Sequence, residues 1–381
     1  MKIVQVHNFY QNLTGDDSVV QEEYQLLTKN GHQVHQFLKH NTDLKATGLL
    51  GKVRAAANLR NSAQVGKEFG AMLKIEKPDI VHVHNIFPLI TPIVFQVCQE
   101  MAVPVIQTLH NYRLLCVNTL FYRDGHICDD CLIEGSLKPG VTNRCYKNSY
   151  VQSALLSDSI SFHFRKGTWA NSVDQYFCLS EFAKEKFIQG GIPKEKLSVK
   201  ANFVDEPINE ITYESFILFA GKLEEQKGLL DFIELAKSKP EINFKVAGFC
   251  DDTTIFASFA NVEYLGEITR DKLMEYMSTC QAVLFLSKMY EGMPMTILEA
   301  FAHKKAVVAR NQGAMKEMID HGQNGLLFSS FGELSNNLDQ LIKDNRYLEL
   351  GDNAFTTFRS LYSSDNGYHQ LVNGYQKAII S

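Results

Sequence analysis

Long hydrophobic runs are missing from this 381-residue sequence. No apolar stretch approaches the roughly 18 residues that a membrane-spanning helix needs. The opening "MKIVQVH" also lacks the apolar segment behind a basic start that marks a secretion signal. We therefore expect a cytoplasmic protein, in one interpretation held at the inner face of the cell membrane by a surface contact.

An excess of positive charge is missing as well, because the net charge is −5. Proteins that bind nucleic acid usually carry a basic surface, so the composition disfavours that class. No Gly-x-Gly-x-x-Gly follows the first apolar run, which disfavours an oxidoreductase with a dinucleotide cofactor.

What the sequence does contain is an alternation of short apolar runs with helical periodicity. Such alternation predicts βαβ units and parallel sheets. The predicted strands are "KIVQV", "QVHQF", "DIVHVH", "PVIQTLH" and "QYFCLS", then "FILFAG", "FKVAG", "VEYLG", "AVLFLS" and "KAVVAR". Between the two sets lies the polar segment 200–212, which contains Pro207. We therefore predict an α/β protein with two doubly wound domains.

Glycines, cations and carboxylates follow the predicted strands in both halves. Ligands of open parallel sheets bind beyond the carboxyl ends of the strands. The residues in question are His84-Asn85, His110-Asn111, Gly221-Lys222, Lys227-Gly228, Gly248, Ser287 and Glu291-Gly292. This pattern predicts a ligand in a cleft between two domains.

Lys222 and Lys227 are the candidates for binding an anion. Lys222 follows a strand directly, and Lys227 stands where the helix "GLLDFIELAK" begins. The free N–H groups and the dipole of that helix would add to the positive field, so a diphosphate would be well held. The alternative is that both are ordinary surface lysines.

The stretch "YEGMPMTILEAF" places Glu291 and Glu299 eight positions apart. Pro294 suits the first turn of a helix, so we predict a loop up to Met293 and a helix from Pro294. Glu291 would then precede a helix N-terminus, where helix capping is an alternative role. Glu299 has apolar neighbours, so we expect it to be buried with a polar partner such as a hydroxyl. Two carboxylates near an anion site fit a nucleotide sugar.

These segments together resemble the retaining glycosyltransferases of family 4. The Glu-x7-Glu pair, "FAGKLEEQKGLLDFIELA", "DIVHVHNIFP" and "PVIQTLHNYRLLC" carry the resemblance, which extends over nearly the whole chain. It implies the GT-B fold, with two Rossmann-like domains facing across a deep cleft. The implied bounds are 1–205 for the acceptor-side domain, 206–362 for the donor-side domain and 363–381 for a closing helix that crosses back.

The resemblance also implies roles for individual residues. Glu291 would contact the donor sugar, Glu299 the ribose, and Lys222 and Lys227 the diphosphate, while His110 would approach the sugar and acceptor. Further donor-binding positions would be Gly15, Gly248, Glu267, Ile268, Gly292, Met293, Pro294 and Met295. Two positions depart from the family pattern, because lysine replaces the usual arginine at Lys222 and Thr14-Gly15 replaces a glycine pair.

The expected reaction follows from these roles. Lysines and helix N–H groups would stabilise the leaving nucleoside diphosphate in place of a metal, so no cofactor is required for catalysis. The sequence contains no Asp-x-Asp, which disfavours the metal-dependent GT-A design. A hexose or N-acetylhexosamine would pass, with retention, to a carbohydrate or polyprenyl-linked glycan in polysaccharide assembly. The alternatives are a GT-B nucleotide-sugar epimerase and an inactive protein that binds a nucleotide or a partner.

Four cysteines occupy an insert after the His-Asn segment. Cys128 and Cys131 form a Cys-x2-Cys pair, and Cys116 and Cys145 flank it. Their number fits a tetrahedral zinc ion, while a loop-tying disulfide and free thiols are the alternatives. Cys98, Cys178, Cys250 and Cys280 look like core residues.

A basic segment spans residues 41–75 and is predicted to be helical. Its cations are Lys45, Lys52, Arg54, Arg60 and Lys67. The simple interpretation is a solvated helix face, and the alternative is a contact with anionic lipid headgroups.

Overall fold

The structure is a computed structural model of the chain and describes residues 1–11, 15–43, 48, 55–208 and 210–380. These residues form two compact units. The N-terminal unit comprises Met1–Phe121, Asp129–Ala201 and Gly367–Ser381, and the C-terminal unit comprises Tyr122–Cys128 and Asn202–Asn366. The chain therefore returns to the N-terminal unit after the C-terminal unit is complete.

The N-terminal unit is built on a six-stranded parallel sheet with the order β2-β1-β3-β4-β7-β8. Its strands are β1 (Lys2–Phe9), β2 (Gln33–His40), β3 (Ile80–Val83), β4 (Val105–Leu109), β7 (Gln175–Cys178) and β8 (Leu197–Val199). Strands β3, β4 and β7 are buried along their whole length, as expected for a sheet that helices cover on both faces.

Helices connect these strands. They are α1 (Gly15–Lys29), α2 (Ala63–Glu76), α3 (Ile93–Glu100), α4 (Asp130–Ile133), α5 (Lys138–Thr142), α6 (Tyr150–Lys166), α7 (Thr168–Asn171), α8 (Glu181–Gln189) and α15 (Ser364–Ile380), the last of which enters the unit at Gly367. Side chains of Ser62, Ser149 and Ser180 accept hydrogen bonds from backbone N–H groups in the first turns of α2, α6 and α8. These serine caps fix where the three helices begin.

The C-terminal unit has a second six-stranded parallel sheet with the order β11-β10-β9-β12-β13-β14. Its strands are β9 (Ile217–Ala220), β10 (Phe244–Ala247), β11 (Val262–Gly266), β12 (Ala282–Phe285), β13 (Ala306–Arg310) and β14 (Gly325–Phe328). A small antiparallel hairpin, β5 (Tyr122–Arg123) and β6 (His126–Ile127), also belongs to this unit. The predicted pair of doubly wound parallel sheets is confirmed.

The helices of the C-terminal unit cover a core that includes Phe219, Phe232, Leu284, Val308 and Leu334. They are α9 (Leu229–Ser238), α10 (Arg270–Thr279), α11 (Met295–Ala302), α12 (Gly313–Met318), α13 (Phe331–Ile342) and α14 (Arg346–Thr357). In both sheets the first strand of the unit lies inside the sheet and later strands extend it in both directions. This reversal of strand order places the functional loops at the carboxyl ends of central strands.

The predicted basic segment is only partly within the described residues, because Lys45, Lys52 and Arg54 lie outside them. Arg60 pairs with Asp158 of α6 at 2.7 Å, and Lys67 is exposed on α2. Among the described helices, none is both long enough and apolar enough to cross a membrane.

Candidate functional site

Two glycines bring the turns after β9 and β10 into backbone contact. Gly248 has φ 137°, and a Cβ on it would lie 1.8 Å from the carbonyl oxygen of Gly221. Residues with a side chain rarely adopt this φ, and the Gly221 carbonyl occupies the space that a Cβ would need. Position 248 therefore requires glycine. The hydroxyl of Tyr264 donates to the Gly248 carbonyl at 2.9 Å and fixes the second turn.

The N-terminus of α9 lies against the end of β12. A short 3₁₀ turn, Glu225–Lys227, leads into Gly228, which has φ 88°. A Cβ on Gly228 would lie 2.4 Å from the Leu286 carbonyl oxygen. This close approach directs Lys227 toward the loop that follows β12.

Glu291 is the centre of that loop's polar contacts. Its Oε1 accepts hydrogen bonds from Lys227 Nζ and from Ser287 Oγ, both at 2.7 Å. The Glu291 side chain is 13% exposed and that of Lys227 is 29% exposed, so the pair is partly shielded from water. The structure therefore joins two of the predicted site residues in one ion pair.

The loop from Ser287 to Glu291 is held from two sides. Gln312 Nε2 donates to the carbonyls of Ser287 at 3.2 Å and Met289 at 3.1 Å. The backbone N–H of Lys288 donates to the carbonyl of Gln226 at 2.9 Å. These bonds fix the backbone that carries Glu291.

Helix α11 begins one residue later than predicted. Pro294 is its N-cap residue, with φ −68° and ψ 116°, and the first helical residue is Met295. Gly292 and Met293 precede it in the loop, and Met293 Sδ accepts from the backbone N–H of Asn202 at 3.2 Å. Proline fits this extended conformation as well as a helical one, because both have φ near −65°.

Glu299 lies in the second turn of α11 and is 9% exposed, so its predicted burial is confirmed. Its partner is Arg270, whose guanidinium lies 3.0 Å from Oε1 of Glu299, rather than the hydroxyl that the sequence suggested. Burial raises the pKa of Glu299, and the positive charge of Arg270 opposes that rise.

The remaining predicted donor residues of this unit lie on neighbouring turns. Lys222 pairs with Glu224 at 2.5 Å, and its side chain is 59% exposed. Glu267 and Ile268 connect β11 to α10. Glu291 and Glu299 therefore contact different cations, while Lys222 pairs with an acid outside the predicted set.

The N-terminal unit carries the other two predicted residues. Gly15 is the exposed first residue of α1, and its neighbour Thr14 lies outside the described residues. His110 follows β4 and is 7% exposed. Burial lowers its pKa well below the usual value, so the imidazole is neutral. Together with Asn85 and Asn111, it lines a cavity of about 30 Å³.

The cysteines divide into two groups. Cys98, Cys178, Cys250 and Cys280 are buried, as predicted. Burial raises the pKa of the Cys116 thiol, which donates to Asn118 Oδ1 at 2.9 Å. Within the described residues, the group whose potential ligand atoms all lie within 4.8 Å of one another is Glu23, His82 and His84. The zinc site of Cys116, Cys128, Cys131 and Cys145 stays a prediction.

Two residues near Glu291 and Glu299 were not singled out from the sequence, namely Arg270 and Gln312. Ser287, which bonds to Glu291, was among the predicted strand-end residues because it follows a strand directly, but no individual role was assigned to it. Arg270 is the first residue of a helix after a strand, which is the same kind of position. The role of Gln312 could not be predicted from the sequence, because its side chain donates hydrogen bonds to backbone carbonyls, which every residue carries.

Comparison with known protein families gives two matches that together span most of the chain. The "Glycosyltransferase Family 4" family matches residues 15–206, and the "Glycosyl transferases group 1" family matches residues 202–356. Each match contains one of the two parallel sheets, apart from β1 of the first sheet.

Individual relatives agree with these matches. An uncharacterised glycosyltransferase of Methanocaldococcus jannaschii is 25% identical over 319 residues, 80% of this chain and 75% of the relative. The α-galactosylglucosyldiacylglycerol synthase of Streptococcus pneumoniae is 26% identical, over 39% of this chain and 47% of that enzyme. The N,N'-diacetylbacillosaminyl-diphospho-undecaprenol α-1,3-N-acetylgalactosaminyltransferase of Campylobacter jejuni is 32% identical, over 34% of this chain and 36% of that enzyme.

Solved structures share the fold at low identity. Anabaena HepE in complex with UDP-glucose has a TM-score of 0.67 and 17% identity, covering 99% of both chains. Sucrose-phosphate synthase from Thermosynechococcus elongatus has a TM-score of 0.70 and 14% identity, covering 100% of this chain and 99% of that chain. Both the sheets and the family matches agree with the resemblance seen in the sequence, and the chain belongs to the family 4 glycosyltransferases with the GT-B fold.

Proposed function

We propose that this glycosyltransferase retains the configuration of the sugar that it transfers. The donor is a nucleoside-diphosphate hexose or N-acetylhexosamine, and the acceptor is a carbohydrate or a polyprenyl-linked glycan. The observation that carries this proposal is the Glu291 carboxylate, which bridges Lys227 and Ser287 just ahead of a helix N-terminus. A carboxylate, an ammonium and a hydroxyl at one loop can recognise sugar hydroxyls and a phosphate side by side.

Different residues contact different parts of the nucleotide sugar. Glu291 accepts hydrogen bonds from the sugar, and Glu299 accepts them from the ribose. The backbone of Gly248, Glu267 and Ile268 faces the base and the phosphates. The remaining donor contacts come from Gly15 and from the loop residues Gly292, Met293, Pro294 and Met295.

The chemistry rests on stabilising the leaving group. As the bond to the sugar breaks, negative charge grows on the nucleoside diphosphate, and Lys222, Lys227 and the N–H groups at the start of α9 stabilise it. Fixed positive groups of this kind make a metal ion unnecessary. The acceptor hydroxyl attacks the oxocarbenium-like sugar from the face that the diphosphate leaves, so configuration is retained. His110 contacts the sugar or the acceptor.

The acceptor class is supported by the relatives. The names of the S. pneumoniae and C. jejuni enzymes describe a diacylglycerol glycolipid and an undecaprenyl-diphosphate-linked sugar. A lipid-linked acceptor would bring this protein to the inner face of the cell membrane, where the exposed Lys67 would favour anionic lipids.

The test of the site is the Glu291→Ala variant. We expect transfer to fall by about a hundredfold or more, because loss of a positioned charged group at the reacting centre costs several kcal/mol. Glu263→Ala is the control, since Glu263 is 59% exposed and pairs with Lys245. Full transfer by the Glu291 variant would refute the assignment.

Three further measurements distinguish the reaction from its alternatives. The anomeric configuration of the product, read by NMR, should match that of the donor, and inversion would refute the proposed course. Incubation with donor alone should give no epimer, whereas accumulation of an epimer would identify an epimerase. Transfer should persist in a chelator, and its loss there, restored by added metal, would refute metal independence.

A further inference from the structure

Apolar side chains lie exposed together at the start of α6. Tyr150, Val151 and Leu155 are 57%, 68% and 37% exposed, and Ala154 is exposed as well. Residues four positions apart are neighbours on the surface of a helix, so Tyr150 lies beside Ala154 and Val151 beside Leu155. Single exposed apolar residues are ordinary, whereas a group of them marks a surface that contacts something other than water.

The chain that leads into this apolar face is basic. Residues 135–155 contain three cations, Lys138, Arg144 and Lys147, and no acid, although the whole chain has a net charge of −5. All three cations are exposed, and within the described residues none of them pairs with a carboxylate. Positive charge without a carboxylate partner, next to exposed apolar side chains, complements a surface that is both anionic and apolar.

Two of these cations lie over tyrosine rings. The Arg144 guanidinium is 5.3 Å from the centroid of the Tyr150 ring, and Lys147 Nζ is 5.4 Å from the centroid of the Tyr146 ring. Tyrosine is enriched at the headgroup level of membranes, where its ring meets apolar groups and its hydroxyl meets water. Tyrosine rings with an adjacent cation therefore fit a layer of lipid headgroups.

The topology places this surface toward the carboxyl ends of the strands. Helix α6 lies in the connection between β4 and β7, which are neighbouring parallel strands. The helix of such a connection runs back toward the amino end of the second strand, so α6 begins toward the carboxyl edge of the sheet. His110 follows β4 at that same edge. The apolar face and the residue proposed to contact the sugar or acceptor thus belong to one edge of the N-terminal unit.

We propose that the start of α6 is a docking surface for an anionic phospholipid bilayer. The three large apolar side chains enter the headgroup region, and Arg144 and Lys147 bind lipid phosphates. This inference rests on the proposed lipid-linked acceptor, because it names the surface that brings the N-terminal unit to the membrane holding that acceptor. It is a different surface from the basic segment 41–75, in which Arg60 is already paired with Asp158.

Cosedimentation with vesicles tests the apolar part of the surface. The unaltered protein should bind vesicles that contain phosphatidylglycerol and phosphatidylcholine about tenfold or more tightly than vesicles of phosphatidylcholine alone. Val151→Asp should lower binding to the anionic vesicles by about tenfold, because a carboxylate then replaces an apolar group in a negatively charged layer. Ile75→Asp is the matched control, since Ile75 is 77% exposed on α2 and the change in charge is the same. The control should bind like the unaltered protein.

A second variant tests the cations and does not depend on the first. Arg144→Gln combined with Lys147→Gln should weaken binding to the anionic vesicles by roughly twentyfold, because each cation near an anionic surface contributes about fivefold. Lys194→Gln combined with Lys237→Gln is the control, since both lysines are exposed and lie outside residues 135–155. Equal weakening in the two double variants would mean that net charge alone governs binding, and would overturn the proposed surface.

Vesicle binding needs neither donor nor acceptor glycan, so it separates this inference from the proposed function. Absence of binding to anionic vesicles, or undiminished binding by Val151→Asp, overturns the docking surface whatever the transfer assays show. A dimer in analytical ultracentrifugation that Val151→Asp dissociates, together with no vesicle binding, would show that the surface joins two copies of the chain instead. Full transfer by Glu291→Ala would refute the proposed site and would leave the vesicle results unchanged.

Discussion

Lys227 and Glu291 neutralise each other across 2.7 Å, so a diphosphate bound as proposed would share Lys227 with this carboxylate. We expect Lys227→Ala to weaken binding of the nucleoside diphosphate by about tenfold to a hundredfold, the range for a charged hydrogen bond. Isothermal titration calorimetry measures the change. Lys272→Ala is the control, because Lys272 is half exposed and pairs with Glu275 on the surface of α10. Unchanged affinity in the Lys227 variant would remove it from the phosphate site.

With the proposed ribose role of Glu299, we expect the Arg270–Glu299 pair to make nucleotide binding sensitive to pH. Burial raises the pKa of Glu299, and Arg270 lowers it, so Arg270→Gln should raise that pKa further. A protonated carboxyl accepts fewer ribose hydrogen bonds, so binding weakens as pH falls. The weakening should begin at a higher pH in Arg270→Gln.

Affinity measured by calorimetry from acidic to neutral pH checks this expectation. Titration of the phosphate itself is common to both proteins and cancels in the comparison. Lys272→Gln, on the same helix, should follow the unaltered protein. If the Arg270→Gln variant and the unaltered protein lose nucleotide affinity at the same pH, Arg270 does not control the protonation of Glu299.

At the scale of single residues, the sequence predicted the acids but not which residues they pair with. Burial of Glu299 followed from its apolar neighbours, a local property of one helix. Its partner Arg270 is 29 positions away, and the pairing of Glu23 with Lys200 spans 177 positions. Pairs of this kind depend on how strands and helices are arranged in space, which composition and periodicity do not specify.

The turns at the carboxyl ends of β9 and β10 hold each other in place through Gly221 and Gly248. We expect Gly248→Ala to destabilise the protein by about 1–3 kcal/mol or more, because φ 137° is strained for alanine and the Cβ meets a carbonyl oxygen. The melting temperature measures the loss. Gly332→Ala in α13 is the control, because a Cβ there meets nothing within 4 Å. A melting temperature equal to that of the control would contradict the close approach.

Element boundaries show where sequence reasoning was accurate and where it was not. Proline marked the start of α11 to within one residue, since its fixed φ suits both the cap and the first turn. Strand β8 was not predicted, because it has only three residues and ends before the buried Lys200. The hairpin of β5 and β6 was also missed, since two-residue strands show no alternation.

For the molecule as a whole, a ligand that binds only the folded state raises its stability by mass action. We expect the correct nucleotide sugar to raise the melting temperature most among a panel that varies the base and the sugar. At 100 times Kd the gain is about 2.7 kcal/mol. The Glu299→Ala variant serves as the control, because it should lose most of the shift. Equal shifts for all nucleotide sugars and for free nucleotides would contradict a specific donor.

The fold class was predictable because it depends on many weak signals that agree. Ten apolar runs each marked a strand, and no single error would have changed the α/β assignment. The division of the chain into units was harder to specify in detail, because the segment Tyr122–Cys128 joins the C-terminal unit from within an N-terminal insert. The sequence of that segment alone does not indicate which of the two units it belongs to.

The last described helix, α15, has a consequence for how the protein is made. Leu371 and Tyr375 are fully buried in the N-terminal unit, although the ribosome synthesises them after all of the C-terminal unit. During translation the C-terminal unit therefore has its entire sequence before the N-terminal unit has all of its own. Until α15 is synthesised, the ring of Phe177, which lies against Gly374 of that helix in the finished protein, is not covered. Chaperones that shield exposed aromatic surface have their longest opportunity on the part of the protein made first.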